Sequence, residues 1–232
     1  MELRTKVKIA STANVSHWKS KRSSLMSSVN KISSSALAES TDKVIAIGAS
    51  TGGTEAIKRV ICDFPINMPG TVIVQHMPAG FTKTFADRLN TLTMLEVKEA
   101  ESGDRILPGR VLIAPGGLHM KVIRSGGIYQ VVFQEGDKVN GHCPSVDVLF
   151  FSVAQHVGAN AYGVILTGMG DDGARGMKAM KDSGAFNLGQ DEPTSVVYGM
   201  PKVAYDMGGV DLQLPLEKIA TGLIGRIRQG QK

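Results

Sequence analysis

The sequence predicts an α/β fold: a doubly wound, mostly parallel sheet with helices on both faces and an antiparallel β-hairpin insertion. Three observations carry that expectation. From Val44 onward, short β-branched runs alternate with segments of helical period, and this alternation implies right-handed βαβ crossovers. A glycine-rich turn closes the first run, at the strand end where open α/β sheets place their chemistry. A central stretch has β-rich runs broken by Gly-Gly turns in place of helices, which reads as a hairpin.

The elements follow in order. Residues 1–40 hold seven Lys/Arg against Glu2 and Glu39, with eleven serines. So little apolar surface does not offset the entropy of ordering, and a flexible linker or leader is expected there. A basic, serine-rich start also fits an organelle transit peptide, but it lacks an amphipathic stripe. One folded domain is expected over 41–232. "KVIAIGA" is a buried strand, and "GGTEAIKRVICDF" a helix with Ala56, Ile57, Val60 and Ile61 on one side. "GTVIVQH" is a second strand and "TKTFADRLN" a second helix. "RVLIAPGG", "LHMKVIR" and "IYQVVFQ" form the hairpin region. Then come helix "SVDVLFFSVAQHV", strand "AYGVILTG", helix "DDGARGMKAMKDSG", strand "AFNLGQ" and a last helix around "LEKIATGLIGRIRQ".

Composition narrows the function. The chain has 26 Lys/Arg and 21 Asp/Glu, a net charge of +5. Since the first 40 residues carry that whole excess, the rest is neutral, 19 against 19. A nucleic-acid partner, which needs a basic face on the folded body, is not expected. The two cysteines, Cys62 and Cys143, have no metal or redox spacing, which suits a reducing, cytoplasmic compartment. No apolar run nears the roughly 20 residues that span a bilayer, so no membrane insertion is expected. His119, His142 and His156 have no partner at metal-ligand spacing, and neither a metal nor a cofactor is expected.

The turn after the first strand, Gly48-Ala49-Ser50-Thr51-Gly52-Gly53, fits two kinds of machinery. A dinucleotide cradle would need G-x-G-x-x-G and a carboxylate at the end of the second strand. Here that strand ends in Gln75-His76, and Gly53 is followed by Thr54-Glu55 where a P-loop has Lys-Ser/Thr. G-x-S-x-G, the strained strand-to-helix elbow of serine hydrolases, does match, with the Thr51 N–H as an oxyanion donor. A serine here can also be a mere turn residue. The partners favour chemistry: a serine nucleophile needs a base, and the base an orienting carboxylate. His76 ends the neighbouring strand, and Asp171-Asp172 follow the strand "YGVILTG". One of the two aspartates is expected to cap the next helix, leaving the other to face His76. The order Ser, His, Asp differs from the Ser, Asp, His of α/β-hydrolases.

"VIAIGASTGGTEAI", "VQHMPAGFTKTFADRLN", "GDRILPGRVLIAPGGLHM", "PSVDVLFFSVA", "GVILTGMGDDGARGMKAM" and "QDEPTSVVYGMPKVA" together resemble the catalytic domain of the bacterial chemotaxis protein-glutamate methylesterases, the CheB family. The resemblance runs from about Val44 to the C-terminus. It implies a serine esterase acting on methylated glutamates of chemoreceptor cytoplasmic helices, often with glutamine deamidation. By motif, Ser50 would be the nucleophile, His76 the base and Asp172 the orienter, with the backbone N–H groups of Thr51 and Met169 as oxyanion donors. The family usually has Asn where Asp171 stands. The family's N-terminal phospho-receiver domain is absent here, which implies a fragment or a receiver-free variant. The alternative on the same fold is a non-catalytic receptor-binding module.

Overall fold

The computed structural model describes residues 43–229; the linker expected at 1–40 lies outside them. Nine strands and six α-helices are described there, the strands being β1 Val44–Ala49, β2 Gly70–Gln75, β3 Glu96–Glu99, β4 Arg110–Ile113, β5 His119–Ser125, β6 Ile128–Gln134, β7 Ala161–Ile165, β8 Phe186–Gln190 and β9 Leu212–Leu214. The helices are α1 Gly53–Ile61, α2 Phe81–Leu92, α3 Val146–His156, α4 Ala174–Asp182, α5 Met200–Asp206 and α6 Leu216–Gln229.

Seven strands form one sheet in the order β3-β4-β2-β1-β7-β8-β9, every pairing parallel. Alternation along the strands divides the core in two. Ile45, Ile47 and Ala49 face α1, α2 and α6, whereas Val44 and Ala46 face α3, α4, α5 and the hairpin. This is the doubly wound sheet that the strand–helix alternation implies. Its switch point lies between β1 and β7, where the order of winding reverses and a crevice opens beyond the strand ends.

The hairpin is β5 with β6, turning at Gly126-Gly127, both at positive φ. "RVLI", expected in that hairpin region, instead pairs in parallel between β2 and β3. Its Val111, Leu112 and Ile113 are buried, as a strand covered on both faces requires. Two further strands are not among the expected elements. Strand β3 has a single buried side chain, Val97, among exposed and half-buried charged residues. Strand β9 is a three-residue edge. Gly199 precedes helix α5, which has Pro201 in its first turn, where a missing N–H costs nothing.

Candidate active site

Strand register decides which side chains meet. Ala49 pairs with Gln75, the last pair of β1 and β2, and the His76 N–H donates to Ala49 O at 3.1 Å. Ser50 and His76 are therefore adjacent, one residue past each strand. The elbow itself is less strained than its motif suggests. Asn140 is the one non-glycine residue with positive φ among those described. Gly52, at φ 79°, takes the left-handed position of the turn. A Cβ there would meet Val196 at 2.7 Å.

Asp172 comes from the loop after β7. Its Oδ2 accepts from His76 Nε2 at 2.8 Å, with side chains 6% and 1% exposed. Since a carboxylate only accepts, Nε2 carries the proton and the lone pair sits on Nδ1. That Nδ1 is buried and has no hydrogen-bond partner. The structure joins imidazole to carboxylate directly, and no hydrogen bond joins Ser50 Oγ to His76.

Asp172 does more than hold a histidine. It sits at the N-terminus of α3, accepting from the N–H groups of Val146 at 2.7 Å and Asp147 at 3.2 Å, and from Ser145 Oγ at 2.7 Å. Asn140 Nδ2 adds a fifth donor at 2.8 Å. Burial alone would raise this carboxyl. The hydrogen bonds from His76, Asn140, Ser145 and the Val146 N–H outweigh it and hold the group down at about 2. Asp171 is 59% exposed and pairs with Arg175 at 3.8 Å. Neither aspartate side chain caps α4, as one was expected to; Gly173 stands at that position with φ 94° and no side-chain cap. Asp172 is occupied elsewhere, at the start of α3.

The two expected oxyanion donors share one device. In a trans peptide the N–H points opposite to the preceding carbonyl, and Cys143-Pro144 is the sole cis bond among the described residues. Ser50 O is clamped by Gln75 Nε2 at 2.9 Å and Gly53 N at 2.8 Å, which turns the Thr51 N–H away from the sheet. Gly168 O is likewise clamped by the N–H groups of Gly199 and Met200, at 3.2 and 2.8 Å, and the Met169 N–H points away from them. The lip carrying Thr51 and Met169 is tied together by Thr167, whose N–H donates to Gln190 Oε1 and whose hydroxyl lies 2.9 Å from Thr51 O.

Other residues of the site carry no motif signal. The His142 ring stacks on His76, centroids 3.6 Å apart and planes within 8°. Burial, and next the charge that His76 can carry, depress its basicity. Gln75, Asn140 and Ser145 also escape a motif reading, although Pro144-Ser145 ahead of an apolar helix does announce an N-cap. His119 Nδ1 accepts from the Ser145 N–H and its Nε2 meets Asp137 O, a structural role. Among the described residues no group of three or more His, Cys, Asp or Glu is placed to hold a metal.

The CheB methylesterase family model matches residues 45–223. The chain belongs to the CheB methylesterase family. It is 64% identical over 223 residues to a protein-glutamate methylesterase/protein-glutamine glutaminase of Syntrophotalea carbinolica, covering 96% of this chain and 63% of that one. A protein of the same name from Salmonella typhimurium is 54% identical over 192 residues, covering 83% of this chain and 55% of the relative. The chain thus spans somewhat less than two thirds of the length of these relatives. The crystal structure of the Thermotoga maritima CheB methylesterase catalytic domain superposes with a TM-score of 0.78 at 40% identity, over 81% of this chain and all of that one. The parallel sheet with its hairpin is thus the CheB catalytic fold.

Proposed function

We propose that this chain is a serine esterase that hydrolyses glutamate methyl esters on the cytoplasmic helices of chemoreceptors, and that it deamidates receptor glutamines through the same site. One observation carries the reading: the His76 side chain, 6% exposed and bonded through Nε2 to Asp172, keeps a partnerless Nδ1, and its backbone leaves the strand next to the one that ends at Ser50. The Ser50–His76 contact is to form with substrate, as such catalytic contacts commonly tighten only in the bound complex.

Ser50 Oγ attacks the ester carbonyl as His76 Nδ1 takes its proton. The tetrahedral oxyanion is met by the Thr51 and Met169 N–H groups. Collapse expels methanol, protonated by Nδ1, and leaves a glutamyl ester on Ser50. Water then attacks with His76 again as base, freeing glutamate and Ser50. For a glutamine side chain the first leaving group is ammonia. Asp172 keeps the imidazole in the Nε2–H tautomer and offsets the charge of the imidazolium. No described helix is long and apolar enough to cross a membrane.

The test is methanol release from methylated receptor. Ser50→Ala is expected to keep its fold and lose activity by roughly 10⁴-fold or more. Release within tenfold of the unaltered protein would remove Ser50 as nucleophile.

A further inference from the structure

Asp172 and Asp147 are two buried carboxylates, each 1% exposed, separated by one side chain. Asn140 Nδ2 donates to Asp147 Oδ2 and to Asp172 Oδ1, both at 2.8 Å. Its Oδ1 accepts from Arg175 Nη2 at 2.7 Å. Every polar atom of the side chain is therefore used, and the backbone adopts φ 53°, a left-handed conformation that asparagine tolerates better than most residues. Asp147 does not touch His76. It accepts from the Gly176 N–H at 2.7 Å, meets Arg175 at 3.5 Å, and so fixes α3 against α4.

We infer that Asn140 is a positioning residue of the esterase site: its amide bridges the two buried carboxylates, sets the rotation of the Asp172 carboxylate toward His76, and limits how strongly that carboxylate draws a proton onto the imidazole. This rests on the esterase reading above. Oδ1 of Asp172 accepts from Asn140, Ser145 and the Asp147 N–H, while Oδ2 serves His76 and the Val146 N–H. Removing the Asn140 donor leaves more of the charge for His76 to answer. The imidazolium gains, the free base loses, and Asp172 can turn. The charged and titratable groups around this pair are Asp147 on α3, Arg175 on α4, Asp171 before it, and His142 with Lys138 in the loop before α3. Asn140 is the neutral group interposed between Asp147 and Asp172.

Asn140→Gly keeps the left-handed backbone and deletes the amide. Asn140→Asp keeps the shape but puts a third carboxylate where a donor stood. Methanol release would be followed from pH 5 to 9, with thermal unfolding of each variant. For Asn140→Gly, kcat is expected to fall about tenfold at little change in KM. The acid limb of kcat/KM should move up by about 0.5 unit, and farther in Asn140→Asp. A residue that only held the fold would lower the amount of active protein without moving the limb. An unmoved limb in both variants, or loss of folding in both, would overturn the inference. Failure of the esterase reading is separate: the unaltered protein would then release no Ser50-dependent methanol.

Discussion

The imidazoles of His76 and His142 lie face to face, 3.6 Å between centroids and 8° from parallel. Two rings so placed resist carrying charge together. Burial, followed by His76, depresses the basicity of His142. A folded state that binds a proton less readily than the unfolded chain loses stability as pH falls below the ordinary histidine value, near 6.5. The melting temperature is therefore expected to drop between pH 7 and 5.5, and to drop less in His142→Phe, which keeps a flat ring without the charge. Equal slopes for the two proteins would show that this pair does not contribute.

Asp172 has the opposite sign. Its folded carboxyl lies at about 2 against an ordinary 3.8, so its contribution is full above the unfolded value and disappears as pH falls from about 4 toward 2. The shift corresponds to about 2 kcal/mol. Asp172→Asn should abolish that acid dependence and lower esterase activity by roughly 10³–10⁴-fold, because an amide no longer fixes the tautomer of His76. Urea unfolding at pH 7 and 3 checks the first part and methanol release the second. An unaltered difference between the two pH values would refute the linkage.

The adjacency of Ser50 and His76 is legible because both hang on local patterns: a glycine-flanked serine after one buried strand and a histidine closing the next. Parallel pairing then makes them neighbours. The choice of Asp172 over Asp171 rested on the resemblance, and the physical reason for it is distant: α3 begins 26 residues earlier in the chain and presents its N-terminus to that carboxylate. Asn140 was illegible for the same reason. Its partners lie 7, 32 and 35 residues away, and a left-handed Asn-Gly reads as an ordinary turn. Strands β3 and β9 were missed because edge strands need little apolar pattern, whereas "RVLI", as apolar as its neighbours, was seen but placed beside the wrong partner.

Helix α3 comes close enough to clamp Asp172 because glycines face it, Gly48 from β1 beside Gly173 and Gly176. A Cβ on Gly48 would lie 2.3 Å from Val146 Cγ1 and 3.2 Å from Phe150 Cζ. Gly48→Ala is expected to cost about 2–3 kcal/mol through overpacking, and to cut activity as the N-terminus of α3 is pushed off Asp172. Val146→Ala alone should cost about 2 kcal/mol for the lost methyl groups. Together the two changes should cost at least 1 kcal/mol less than their sum, since each relieves the other. Strict additivity in urea unfolding would mean that the close approach is not what makes glycine necessary.

Gln75 is bonded to the peptide that carries the proposed first oxyanion donor, the Thr51 N–H. Its Nε2 donates to Ser50 O at 2.9 Å and reaches His76 O at 3.2 Å, tying the peptide after Ser50 to the peptide after His76. Its Oε1 is buried without a partner, a standing cost that offsets the two bonds. Gln75→Leu deletes both sides of that balance at similar volume, so stability should change by no more than about 1 kcal/mol. Activity should not be spared. With only the Gly53 N–H left to hold Ser50 O, the Thr51 N–H is freer to tilt, and kcat is expected to fall about tenfold at nearly constant KM, the signature of an interaction made in the transition state. A variant with unchanged kcat and a lowered melting temperature would assign Gln75 to the core alone.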